Sequence, residues 1–319
     1  MISLPRISFG TAAIAGIIEA VDEEQANAVL EQAWASGLRY FDTAPHYGQG
    51  LAERRIGDFL RSRHSEDWIL STKVGRLLQA DRKARGPLNK FVEPLPFSQH
   101  YDYSYDGIMR SVEDSFQRLG LSRIDILYAH DLGTFTHADQ ADIHLRQFLD
   151  SGVRALQELK SQAVIKAFGL GVNDAQVCLD VLHECELDLL LLAGRYTLLD
   201  RTAEQTLLPL CKTRNTGLVM GGVLNSGILA TGARPGALFN FQPASERVLD
   251  HVGRLESLCE QFGIRLAAAA MQFPLRNEQV ISVLTGPGRV EYLEENLMLM
   301  NQAIPEEFWE AADALRLTS

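Results

Sequence analysis

The sequence predicts a single (β/α)8 barrel, and three observations carry that prediction. Eight short apolar or β-branched runs recur along the 319 residues, with amphipathic helix-like stretches between them. Several runs, such as IDILYAH and DLLLLAG, are almost continuously apolar. Such runs suit strands covered on both faces, as in a parallel sheet wrapped by helices. No Ser/Gly-rich linker divides the chain, so residues 1–319 read as one domain. A doubly wound open sheet is the rival. It would usually carry a Gly-rich fingerprint after its first strand, and here TAAIAG follows instead of G-x-G-x-x-G.

The expected strands span residues 7–10, 39–42, 68–74, 124–130, 166–171, 189–193, 217–221 and 280–284. The helix after the first strand spans 22–36. It opens on acidic residues, sets Ala26, Val29, Leu30, Ala33 and Trp34 on one face, and stops at Gly37. A second helix, 104–119, spaces Ile108, Val112, Ser115, Phe116 and Leu119 by three and four before Gly120. Residues 144–160, 174–185, 203–214, 244–262 and 265–273 follow the same pattern. Two stretches break the rhythm, 76–103 and 222–243. Both follow strand C-termini and mix Gly or Pro with aromatics, so both are expected to wall a pocket.

Composition narrows the class. With 30 Lys plus Arg against 41 Asp plus Glu, the formal charge is -11. Such a surface repels phosphate backbones and anionic lipid, which points away from nucleic acid and membranes and towards a small-molecule partner. Cys178, Cys185, Cys211 and Cys259 show no CxxC spacing and fall in helix-like segments, as free thiols of a reducing compartment do. No apolar run reaches the roughly 18 residues of a membrane span. The mildly apolar N-terminus reads as a first strand, so cytoplasm is the expected location. The remaining histidines lack ligand spacing, and no metal is expected. Oligomeric state is not legible.

In a barrel the chemistry sits at the C-terminal strand ends. Strand two ends in Asp42, with Tyr47 on the loop after it. Strand three ends near Lys73 and strand four at His130. Each alone has an ordinary reading: Asp42 a turn former, Lys73 a solvated cation, Tyr47 a loop aromatic, His130 a helix cap. Together they suit moving a proton on or off a carbinol or carbonyl oxygen. A phenol with an ordinary pKa near 10 needs a neighbouring ammonium to favour its phenolate. That ammonium needs a carboxylate to stay charged in a pocket. An imidazole can orient a substrate oxygen. His46, beside the phenol, is expected to line the pocket. The segment Phe97, His100, Tyr101, Asp102 and Tyr103 is expected to present polar and aromatic groups to a sugar-like ring, with Tyr103 touching substrate.

The stretches FDTAPHYGQGLAERRIG, STKVGR and RLGLSRIDILYAHD resemble the signatures of the aldo-keto reductase superfamily, along nearly the whole chain. The resemblance implies a barrel that binds NAD or NADP without a Rossmann fold. It implies Tyr47 as proton donor or acceptor, Lys73 and Asp42 as its tuners, and His130 as the group that orients substrate. HYDYSYDGIMRSVEDSFQRLG, LLAGRYTLLD and GGVLNSGILA are similar to the aldose-dehydrogenase branch. That branch holds L-fucose and D-threo-aldose 1-dehydrogenases, L-galactose dehydrogenase and pyridoxal 4-dehydrogenase.

The same resemblance implies the coenzyme contacts. Asn173 replaces the usual Ser of a Ser-Asn pair and can still bond an amide. Ala193 stands where Gln is common, and Gly221 where an aromatic often stacks on the nicotinamide. The pyrophosphate is expected against Val223, Leu224, Asn225, Ser226, Gly227 and Leu229. The adenosine end is expected at LTGPGRVEYLEEN, with Gly286, Gly288, Arg289, Glu295 and Asn296. Arg289 is the only cation in that stretch and sits among carboxylates, so NAD is expected, with NADP as the alternative. The leading expectation is oxidation of the anomeric hydroxyl of L-fucose or a related threo aldose to a lactone, with pyridoxal the main alternative. An NADPH-dependent aldehyde reductase and a non-catalytic cofactor-binding subunit are the competing readings.

Overall fold

A computed structural model describes residues 2–17, 19–84 and 86–316. Eight parallel strands close a barrel in sequence order: β1 (Ile7–Gly10), β2 (Tyr40–Asp42), β3 (Ile69–Val74), β4 (Ile126–His130), β5 (Ala167–Val172), β6 (Leu189–Ala193), β7 (Gly217–Gly221) and β8 (Val280–Thr285). β8 pairs back onto β1, with Phe9 opposite Thr285. All eight expected strands form, and their ends move by only one or two residues.

The period of two along each strand separates two cores. Tyr40, Ile126, Tyr128, Leu189, Leu191 and Val219 fill the barrel interior. Residues of the other parity, such as Phe41, Leu70 and Leu127, face the surrounding helices in a larger cluster. Trp34 of the helix Glu23–Ala35 stacks on Phe41 with ring centroids 6.5 Å apart. That helix starts where Asp22 accepts the Gln25 amide at 2.8 Å. The helix Tyr105–Leu119 starts on Ser104 in the same way and stops at left-handed Gly120.

The helices depart from expectation in two respects. Leu51–Arg61 is an additional element, whereas Val290–Asn301 is the helix that the 284–296 turn opens and Glu306–Ala314 carries Trp309. The expected 144–160 helix is instead Ala141–Gln147, a π turn over Phe148–Gly152, and Val153–Ser161. Both irregular stretches carry structure of their own. Residues 76–103 hold an antiparallel hairpin, Arg76–Ala80 with Phe97–Tyr101. Residues 222–243 hold a short helix, Ile228–Thr231, and a two-residue ladder, Leu238–Phe239 with Gln242–Pro243. Among the described residues, no helix is long and apolar enough to cross a membrane.

Candidate active site

Strand register brings the four expected groups together. Asp42 lies opposite Ser71, and Lys73 opposite Tyr128. Alternation then points Asp42, Ser71 and Lys73 into the barrel mouth. Lys73 Nζ donates to Asp42 Oδ2 at 2.6 Å and to the Thr43 carbonyl at 2.9 Å. Ser71 Oγ donates to Asp42 Oδ1 at 2.7 Å. The Lys73 ammonium is 4.7 Å from the Tyr47 ring centroid. Tyr47 meets His130 nearly edge-on, centroids 6.0 Å apart. Glycine makes this crowding feasible: a Cβ at Gly171 would press on the Tyr128 Cβ at 3.2 Å and the Lys73 Cε at 3.3 Å.

Burial governs the protonation states. It pushes the Tyr47 phenol above its ordinary value, while Lys73 pulls the other way and Asp42 adds to the rise. Lys73 favours the phenolate as expected, but desolvation is the larger effect. Burial likewise raises the Asp42 carboxyl against the pull of Lys73. Burial works against the Lys73 ammonium too, yet Asp42 and Tyr47 hold it above its ordinary value. His130 is pushed well below the usual imidazole range, first by burial and then by the Arg76 and Lys73 charges. It is neutral, and its Nδ1 has no partner.

A second polar layer was not anticipated from the sequence. Arg76, the first hairpin residue, is buried and ion-paired with Asp131. Asp131 follows His130 with a left-handed φ of 51°, a conformation a non-glycine residue holds only under tertiary constraint. Its Oδ1 accepts from Asn173 Nδ2 at 3.1 Å. Arg76 Nη1 also lies 3.0 Å from His46 Nδ1. Burial and that guanidinium push His46 down to about 3, so its Nδ1 accepts and its proton sits on Nε2. The signal that could have flagged Asp131 is the acid directly after His130 in LYAHD.

These groups open on a cavity of about 390 Å3 lined by His46, Tyr47, Lys73, His130, Asp131 and Asn173. Its outer wall is Asn89, Lys90 and Phe91 from one loop and Phe241 from the other. Lys90 Nζ sits 3.5 Å over the Phe241 ring, so the two loops meet across the mouth. Both expected walls are real, and Phe91 and Phe241 are the aromatics they contribute. Phe97, His100, Tyr101, Asp102 and Tyr103 do not line this cavity. The Tyr103 assignment as a substrate contact is corrected. It is fully buried, and its hydroxyl donates to the His130 carbonyl at 2.6 Å. Its ring fills the space over Gly75 (φ 94°), where any side chain would clash. Tyr103 therefore holds the His130 backbone.

A narrower channel of about 70 Å3 shares Phe135, Asn173, Ala193 and Phe241 with the cavity and continues past Gly194, Asn225 and Ser226. It extends the cavity towards the loop after β7. With Nδ2 committed to Asp131, Asn173 has its Oδ1 to accept a carboxamide N–H. A Cβ at Gly221 would meet only ordinary contacts at 3.7 Å, so that strand end leaves room for a ring. Phe135 and Phe241 are the aromatics at the junction. Leu224, Asn225, Ser226 and Gly227 form a turn with positive φ at the last three. Asn225 Oδ1 accepts from Thr197 at 2.6 Å. The side chains of Val223 and Leu229 are buried beneath the turn.

The turn expected to hold the adenosine end is more tightly paired than its sequence indicated. Arg289 is held by Glu19, Nε to Oε1 at 3.1 Å and Nη2 to Oε2 at 2.9 Å. Glu19 comes from the loop after β1, invisible to a reading confined to 284–296. Glu295 is ion-paired with Arg265, a cation that linear sequence placed elsewhere. Arg289 is thus not the only basic group at this end. Gly286 approaches the Gly10 backbone, Gly288 accepts from Gln25 at 2.8 Å, and Asn296 Nδ2 donates to Thr285 at 2.6 Å.

Comparison with known proteins agrees with this geometry. The aldo/keto reductase family model matches residues 6–317. The chain is 44% identical to a pyridoxal 4-dehydrogenase of Microbacterium luteolum, across 97% of this chain and 93% of that protein. It is 36% identical to a D-threo-aldose 1-dehydrogenase of a Pseudomonas species, across 98% and 94%. Among solved structures, an aldo-keto reductase of Bacillus halodurans in its holo form superposes with a TM-score of 0.76 at 23% identity, covering 98% and 93% of the two chains. Barrel, strand-end tetrad and full-length similarity lead to one conclusion: the chain belongs to the aldo/keto reductase family, as a nicotinamide-dependent oxidoreductase acting on CH–OH or carbonyl groups.

Proposed function

We propose that the chain is an NAD-dependent dehydrogenase that oxidises the hemiacetal carbinol of a ring-closed aldehyde to its lactone. The observation that carries this reading is the buried Asp42–Lys73 pair beneath Tyr47, at the base of a cavity with a channel leading from it. Two relatives point to the substrate class. One is named for pyridoxal and the other for D-threo aldoses. Pyridoxal carries a hydroxymethyl group beside its aldehyde and closes to a hemiacetal, as an aldose does. Pyridoxal takes first place because the similarity is greater there, and L-fucose-type aldoses come second.

When bound, the nicotinamide supplies the hydride acceptor. Tyr47, as phenolate, takes the hydroxyl proton, and neutral His130 donates a hydrogen bond to the same oxygen. Lys73 stabilises the phenolate, and Asp42 keeps Lys73 charged. Asp131, facing the cavity beside His130, accepts from a second donor on the substrate. Because burial raises the Tyr47 pKa, the phenol is protonated at neutral pH. Oxidation therefore speeds up as pH rises, and the reverse reduction slows. The Glu19–Arg289 pair supports NAD, since a 2′-phosphate would have to displace or repel Glu19. Four unpaired cysteines support a reducing, cytoplasmic setting.

The test incubates the enzyme with NAD or NADP and pyridoxal, L-fucose or other threo aldoses, following nicotinamide absorbance and lactone formation. NADH and lactone together are expected. Brisk reduction of simple aldehydes with NADPH, and no oxidation of any hemiacetal, would replace this reading with the aldehyde-reductase one.

A further inference from the structure

Below the catalytic pair, the barrel interior holds hydroxyls that the tetrad does not account for. Ser71 donates to Asp42 Oδ1 at 2.7 Å. The same Ser71 oxygen is 3.0 Å from the Tyr40 hydroxyl, which is 3.1 Å from the Tyr128 hydroxyl. Ser71, Tyr40 and Tyr128 are all fully buried. Their three strands present them on the inner face, with Tyr40 on β2, Ser71 on β3 and Tyr128 on β4.

Counting protons fixes the direction of this chain. Each hydroxyl owns one hydrogen. Ser71 spends its own on Asp42, so it accepts from Tyr40. Tyr40 has then spent its hydrogen on Ser71, so it accepts from Tyr128. Every donor points towards Asp42 Oδ1, while Lys73 occupies Oδ2 at 2.6 Å.

We infer that Ser71, Tyr40 and Tyr128 are positioning residues, a one-way donor chain that keeps Asp42 the ionised partner of Lys73. The inference rests on the reading of Tyr47 as the proton carrier. Hydrogen bonds to the charged form favour it, and neighbouring bonds in a low-dielectric interior reinforce one another. Asp42 needs such support because burial opposes its charge. The groups facing Asp42 are Lys73, Tyr47, Ser71, Tyr40 and Tyr128, and those facing Tyr40 are Ser71, Tyr128, Asp42 and Tyr47. Without Ser71, Asp42 becomes the stronger base and draws on the proton of Lys73. Less positive charge then stands beside Tyr47, whose phenol becomes harder to ionise.

The experiment measures the pH profile of kcat for oxidation in Ser71→Ala, Tyr40→Phe and Tyr128→Phe, with NAD affinity from quenching of protein fluorescence. For Ser71→Ala the rising limb should move up by about one pH unit, the size of one charge-assisted hydrogen bond. Tyr40→Phe should move it less, Tyr128→Phe least, all in the same direction. NAD affinity should stay within about twofold of wild type, and Ser71→Thr, which keeps the hydroxyl, should restore the profile. Superimposable profiles, or a slower rate with an unmoved limb, would overturn the chain. If Ser71→Ala does not fold, Tyr40→Phe decides, since it keeps the ring. Tyr47→Phe runs alongside. Full turnover there removes the parent reading and the chain with it, whereas a dead Tyr47→Phe beside an unchanged Ser71→Ala removes the chain alone.

Discussion

Replacing Lys73 by Met takes the one ammonium away from the phenol and leaves Asp42 buried and unpaired. The side-chain exposures of Lys73 and Asp42 are 2% and 0%, so solvent cannot substitute for the lost charge. The phenolate charge is spread over the ring, whose centroid lies 4.7 Å from Nζ. At an effective dielectric of about 20, that separation corresponds to roughly 3.5 kcal/mol of attraction. Divided by the value of one pKa unit, this moves the Tyr47 phenol up by roughly two to three units. The figure is an upper one, because Asp42 without its partner takes up a proton and ceases to oppose the phenolate.

Oxidation at neutral pH should then fall by roughly two orders of magnitude. Part of the loss should return as pH is raised, because the phenol can still ionise there. A stability signature accompanies the rate change. Burial already raises Asp42, and loss of Lys73 raises it further. The folded variant binds a proton that the unfolded chain releases, so its stability is fullest below the ordinary Asp range. It declines as pH rises towards the new folded value. Steady-state assays across pH and thermal unfolding at acid and neutral pH read both effects. Turnover within tenfold of wild type at pH 7, or a loss with an unmoved pH profile, would refute the electrostatic role of Lys73.

Tyr47→Phe should reduce turnover by roughly 10² to 10⁴ while coenzyme affinity, measured by fluorescence titration, barely changes, because the ring remains. Tyr103→Phe removes the donor to the His130 carbonyl and the group 2.9 Å from His137 Nε2. Two buried partners lose their bond, so unfolding free energy should fall by about 2–4 kcal/mol, and KM and kcat should shift together as His130 loosens. Glu19→Gln frees Arg289 and removes a carboxylate from the adenosine end. The NADP-to-NAD ratio of kcat/KM should rise by roughly fivefold, the scale of an exposed ion pair, and less at high salt. An unchanged ratio would detach Glu19 from coenzyme choice.

The sequence determined the barrel. Eight apolar runs separated by capped amphipathic helices admit few closed arrangements, and register follows once one parity must face the interior. It also determined the tetrad, because Asp42, Tyr47, Lys73 and His130 all stand at or just beyond strand ends, where local position already implies the mouth. Only the tertiary structure decided what these groups feel. The net rise of the Tyr47 pKa depends on how much water is excluded, a property of packing. Arg76 and Asp131 are 55 residues apart, and Glu19 and Arg289 are 270 apart. No local pattern marks such pairs. Tyr103 was misread because an aromatic in a loop looks alike whether it lines a cavity or fills the space over a glycine. The Tyr128–Tyr40–Ser71 chain needed three strands in register before its hydroxyls could meet. Spacing along a strand is a local quantity, but burial and cross-strand hydrogen bonding exist only after the barrel has closed.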